Sequence, residues 1–159
     1  MTQPTAGAAR YVGARVARVE DARLLTGHGT YVDDVTLPGM LYAYFVRSPC
    51  PRGAIRGIDT SAASAVPGVR FVFTAADLNA GVKEQWHTAI GKGPDTPRPP
   101  LAEGEVRFVG DPVALVVADS RYIAEDAAEL VDVDYELLTP VVDYTTAEQA
   151  DALVHEEHG

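Results

Sequence analysis

Cys50 is the single cysteine of the chain and sits between Pro49 and Pro51. A cysteine nucleophile needs a histidine base and a lowered pKa. His28 and His87 could approach the thiol in space, but no local signature links either imidazole to it. One cysteine also excludes an internal disulfide and any zinc or iron–sulfur site built from this chain's cysteines alone. At the far end, His155-Glu156-Glu157-His158 sets two imidazoles three residues apart among carboxylates. That spacing permits adventitious metal binding. It differs from the zinc-protease pattern, and at a chain end a solvated tail is the default.

The remaining candidates are weaker still. Gly27-His28-Gly29 begins like a dinucleotide fingerprint, but Val32 occupies the third glycine position and no strand precedes the loop. Gly91-Lys92-Gly93 lacks the Walker spacing. Asp132, Asp134 and Glu136 share one face of a predicted strand, with successive side chains roughly 7 Å apart. Neighbours at that distance do not share one ion without help from elsewhere. The expected site residues are therefore catalytic none, cofactor-binding none and metal none.

The elements that would carry any such site are organised around Val106 to Ala118. Val113 to Ala118 is an unbroken apolar run, rich in β-branched residues, between Gly110-Asp111-Pro112 and Asp119-Ser120. It reads as a central strand buried on both faces. Val106 to Val109 is a shorter apolar run, and Gly110 with Pro112 predicts a sharp turn or bulge between the two.

Ahead of them, Asp21 is placed to cap a short helical turn that Leu24 and Leu25 anchor and Gly27 ends. Met40 to Arg47, Ala54 to Ile58 and Val69 to Thr74 read as strands, the last with Val69, Phe71 and Phe73 on one face. Asp59-Thr60-Ser61 offers caps for a helix over Ala62 to Val66. The same order recurs from Val113: strand, Asp119-Ser120 cap, a helix from Arg121 to about Leu130, and a strand from Val131 to Leu138. The prediction is an α+β or α/β domain of two β-α-β units, with right-handed crossovers and helices packed on a mixed sheet. Between the units, Asn79 to Glu103 is a Gly/Pro-rich linker holding Trp86, the only tryptophan. A linker that long is either an excursion or a segment that packs on a partner.

Length predicts one domain, and no apolar run is long enough to cross a bilayer. The opening residues lack the pattern of a signal peptide, which points to a cytoplasmic location. The net charge of −10 is concentrated at the back: residues 101–159 carry two Arg against fifteen acids. Such a face disfavours nucleic acid and anionic lipid as partners.

Taken together, several stretches resemble a known family. Arg18-Val-Glu-Asp-Ala-Arg23-Leu-Leu-Thr-Gly-His-Gly-Thr-Tyr-Val-Asp-Asp34 is similar to the opening of the molybdenum-binding large subunit of the xanthine dehydrogenase/aldehyde oxidase family, above all its aerobic carbon monoxide dehydrogenase-like branch. Leu37-Pro-Gly-Met-Leu41, Phe45-Val-Arg-Ser-Pro49, Ile58-Asp-Thr-Ser61, Val106-Arg-Phe-Val-Gly-Asp-Pro-Val-Ala114 and Ala124-Glu-Asp-Ala-Ala-Glu-Leu-Val-Asp-Val-Asp-Tyr-Glu136 continue it in the same order.

The resemblance implies an α/β hammerhead domain over residues 13–145, with an arm over 1–12 and a tail over 146–159 leading to the molybdenum-cofactor domain. In that family the pterin site, the substrate pocket and the glutamate base follow the hammerhead, so no family site residue carries over to this chain. Molybdopterin is implied for the parent oxidoreductase, with iron–sulfur and FAD on partner subunits or domains. The partners implied are the remaining molybdenum-binding domain, the iron–sulfur subunit and the flavin subunit, and the mildly basic front end with Arg10, Arg15, Arg18 and Arg23 and the Trp86 loop are docking candidates. A different class of function remains beside it: a stand-alone, non-catalytic binding or regulatory module with the same fold.

Overall fold

The computed structural model describes residues 18–83, 86–87, 97–149 and 152–155. The expected arm over 1–12, Gly91-Lys92-Gly93, the side chains of Trp86 and His87, and His158 lie outside the described residues. Two units are present, one ending at Gly39 and one beginning at Met40.

In the first unit, helix α1 (Asp21–Leu25) is preceded by Glu20 as N-cap, so Asp21 is its first residue and not its cap. Arg23 Nη2 donates to Glu20 Oε1 at 2.8 Å, and Thr26 Oγ1 donates to the Ala22 carbonyl at 2.6 Å. Leu25 is 85% exposed, so the turn is held by these polar contacts and not by the anticipated leucine anchor.

The second unit contains two three-stranded sheets. In the first, β1 (Tyr42–Arg47) and β3 (Val69–Thr74) flank β7 (Pro112–Ala118). In the second, β6 (Glu105–Val106) and β8 (Asp132–Leu137) flank β2 (Gly53–Asp59). A short pair, β4 (Trp86–His87) and β5 (Pro97–Arg98), brackets the Gly/Pro-rich stretch. Helices α2 (Ser61–Ser64), α3 (Ala75–Leu78) and α4 (Arg121–Ala128) complete the unit.

The α+β class and the strand–helix–strand repeat are both present, but the repeat is wired differently from the expectation. Among the described residues every strand pairing is antiparallel, and no sheet is mixed. β2–α2–β3 leaves the second sheet and enters the first; β7–α4–β8 makes the return trip. The physical reason is plain for the β2–α2–β3 repeat. A parallel return to the same sheet needs a connection of about a dozen residues or more, and Thr60 to Gly68 is shorter. Gly68, at φ +93°, ends that connection where a Cβ would stand 2.8 Å from Ile123 Cδ1.

α4 is capped by Ser120, whose Oγ accepts the Ile123 amide at 3.2 Å. Its small residues Ala124 and Ala127 are fully buried. Ala127 and Ala128 join Ala63, Ala114, Val116 and Val131 in one core cluster, with Val46 and Val72 packed against it. This places α4 and α2 on one face of the first sheet, the face of Val46, Ala114, Val116 and Val72. The opposite face is only half covered: Leu115 and Val117 are of intermediate burial, while Phe71 is exposed. Among the described residues the reading of β7 as a strand buried on both faces therefore holds in full for one face, and on the other for Val113 alone.

Phe71 also departs from its predicted neighbour Val69. A bulge between them sets Val69 opposite Ala118 and Phe71 opposite Val117, so Val69 packs into the core while Phe71 and Phe73 point outward.

Candidate functional site

The polar residues that converge do so at the elbow where the chain passes from β6 in the second sheet to β7 in the first. Val106 and Val113, both fully buried, anchor the two ends of the elbow in a cluster with Cys50 and Ala102. Between them the backbone turns sharply, with Gly110 at φ +91°, a conformation open to glycine. The Gly110 amide donates to the Ser48 carbonyl at 2.8 Å, and the Ser48 amide donates to the Asp111 carbonyl at 2.9 Å. Arg47 Nη1 donates to the Gly110 carbonyl at 2.8 Å, tying the end of β1 to the turn.

Beside this elbow is a cleft of about 360 Å³, lined by Arg98, Glu103, Glu105, Arg107, Phe108, Asp111 and His155 among others. Several of its ionisable groups serve as structural ties. Asp111 Oδ2 accepts the Arg107 amide at 3.0 Å, and Arg107 Nε donates to the Val154 carbonyl at 3.1 Å. Arg52 Nε donates to Glu105 Oε1 at 2.7 Å, while its Nη1 donates to the Thr139 carbonyl at 3.3 Å. The Arg98 guanidinium lies 5.5 Å from the centroid of the Phe108 ring.

Burial pushes the Asp111 carboxyl above its ordinary value, against the opposing pull of the Arg107 amide and the charges of Arg107 and Arg98. A carboxyl whose folded pKa is raised binds its proton more tightly in the native chain. Its contribution to stability is therefore greatest below the ordinary aspartate value of about 3.9 and is lost as pH rises through the raised value. Asp111→Asn keeps an acceptor for the Arg107 amide but removes the titration. Its unfolding midpoint relative to the unmodified chain is expected to rise on going from about pH 4 to 7. A difference that stays constant across that range would contradict the burial argument. Asp59, Asp77 and Asp143 are held low by hydrogen bonds from Ser61, Thr74 and Thr145, so their contributions are lost in the more acid window below about pH 4.

The candidates singled out in the sequence do not gather here. Cys50 is buried and packs on Ala102, Val106 and Val113, with its Sγ 3.2 Å from Ser48 Oγ. Ser48 Oγ accepts the Cys50 amide at 3.2 Å, so the thiol belongs to a loop held by its own hydrogen bonds. Burial raises the Tyr135 phenol, opposed by its hydrogen bond with Ser48. His28 Nδ1 is 3.0 Å from Thr26 Oγ1 within the first unit. Asp132, Asp134 and Glu136 are exposed along β8 as predicted, and Glu136 pairs with Arg56 across the sheet. Of the two terminal histidines, His155 alone is described, in the wall of the cleft. Sequence reasoning missed the cleft because Arg98, Asp111 and His155 come from separate segments; the one local signal was the Gly110-Asp111-Pro112 turn.

Among the described residues no three His, Cys, Asp or Glu are grouped to hold a metal ion. Every buried side-chain nitrogen or oxygen described has a hydrogen-bond partner. No helix among the described residues is long and apolar enough to cross a membrane.

Comparison with known proteins gives these features a lineage. The family profile for the aldehyde oxidase and xanthine dehydrogenase a/b hammerhead domain matches residues 26–139. The nicotine 6-hydroxylase large subunit of Paenarthrobacter nicotinovorans is 53% identical over 135 residues, covering 83% of this chain and 16% of that protein. The carbon monoxide dehydrogenase large chain of Afipia carboxidovorans is 48% identical over 141 residues, covering 89% of this chain and 17% of that one. The crystal structure of the Cu,Mo-CO dehydrogenase in its carbon monoxide reduced state superimposes with a TM-score of 0.80 at 46% identity, covering 91% of this chain and 18% of that one. The chain thus spans about a sixth of the length of the curated relatives it matches, 16% and 17%.

Proposed function

Because this chain belongs to the aldehyde oxidase and xanthine dehydrogenase a/b hammerhead family, we propose that it serves as the structural front domain of a molybdenum hydroxylase large subunit. In this reading it supplies a packed scaffold and contact surface, and no residue of its own touches substrate or cofactor. The observation that carries the reading is the match of residues 26–139 to the hammerhead profile, and at the elbow the Glu105 and Asp111 carboxylates serve as ties between segments of that fold.

The parent enzyme would use molybdopterin, as relatives that include a xanthine dehydrogenase molybdenum-binding subunit suggest. Iron–sulfur and flavin subunits, together with the remaining molybdenum-binding domain, are the proposed partners, and the cytoplasm the proposed location. The domain would span residues 13–145, with the arm before it and the tail after it. Purified chain is expected to carry neither stoichiometric molybdenum, iron nor flavin, and to turn over neither aldehydes nor purines. Elemental analysis, flavin fluorescence and a dye-reduction assay check this together.

A further inference from the structure

Resting on that reading, we propose that the half-covered face of the first sheet is the seat of the polypeptide that follows this domain in a full large subunit. Two rows cross that face. Phe45 of β1 lies opposite Leu115 of β7, which lies opposite Phe73 of β3; in the next row Ala43, Val117 and Phe71 are aligned in the same way. Phe71 and Phe73 stack with ring centroids 5.5 Å apart. Neither row contains a charged residue, yet Phe45 remains 39% exposed and Phe71 54% exposed.

An unbroken apolar strand such as Val113–Ala118 is the composition of a strand covered on both faces, and the helices among the described residues cover one. An exposed aromatic patch of this kind marks a place where protein packs.

Two observations select the occupant. More than four-fifths of each relative's length lies outside the match, which is ample polypeptide to cover the face. Arg107 also holds the Val154 carbonyl beside the elbow, Arg47 reaches the same elbow at Gly110, and the Arg47 guanidinium lies 5.7 Å from the Phe45 ring centroid. Val154 and the Phe45 end of the row are thus both tied to the elbow. A second copy of the chain is the poorer occupant, because two bodies of net charge −10 repel.

The test replaces the matching segment of the nicotine 6-hydroxylase large subunit with this chain. Three versions are compared: unmodified, Phe45→Thr with Phe71→Thr, and Tyr122→Thr as a control on exposed α4. Threonine keeps strand propensity while removing the aromatic surface. The readout is the fraction of large subunit that elutes as one protease-resistant species. The unmodified and control chimeras are expected to assemble, and the double variant to fall about tenfold or more. The same double variant in the 159-residue chain is expected to unfold as cooperatively as the control; should it not, Phe45→Thr alone is scored in its place. Full assembly of the phenylalanine variant overturns the assignment of this face and leaves the structural reading intact. Failure of the unmodified chimera overturns that reading and the face with it. A dimer of the isolated chain that the double variant dissolves also overturns the proposal, by assigning the face to self-association.

Discussion

Val116→Asp is expected to abolish cooperative folding, with a loss of more than about 4 kcal/mol. Val116 is fully buried in the layer where β7 meets α2 and α4, among Ala63, Ala114, Ala127 and Val131. A carboxylate there has neither a counter-charge in the cluster nor water. Val117→Asp, one residue on, projects to the half-covered face and is expected to leave the isolated chain folded. Urea unfolding followed by circular dichroism separates the two. If both variants unfold alike, β7 is covered on both faces within this chain, and the account of its asymmetry is wrong.

Arg52→Met is expected to cost about 3 kcal/mol. Arg52 is the charged residue in the buried set at 5% exposure, and it links the three strands of the second sheet: its own position before β2, Glu105 on β6 and the Thr139 carbonyl after β8. Removing it leaves the Glu105 carboxylate, whose side chain is 24% exposed, without its guanidinium. Most of the loss belongs to that stranded charge, so Arg52→Met combined with Glu105→Leu is expected to recover a large part of it. A double-mutant cycle in urea gives the answer. Additive losses would show that the pair is not the tie between β2 and β6.

These two sites mark what could and could not be read before the fold was seen. The central strand was legible because six consecutive apolar residues between turn formers admit few other roles in a chain of this length. α4 was legible from its cap and its small-residue stripe, and the sequence placed its start at Arg121, where the structure has it. The division into two sheets was not, because strand pairing joins residues far apart in the chain. Nothing local says that the strand before α2 and the strand after it part company. The outward turn of Phe71 was also invisible, since a bulge inserts one residue and flips every side chain beyond it. The Arg52 tie was hidden for the same reason as the cleft: its partners at Glu105 and Thr139 lie 53 and 87 residues away. The family resemblance was carried by ordered short stretches, and the comparisons bear it out.

The central claim, that this chain contributes structure and no reacting groups, meets its most direct test in one number. That number is the molar ratio of molybdenum to protein after expression in a host that makes the molybdenum cofactor. The account predicts a ratio close to zero for chain purified in folded form. A ratio near one, retained through gel filtration, would place a metal-binding centre within these residues and contradict it.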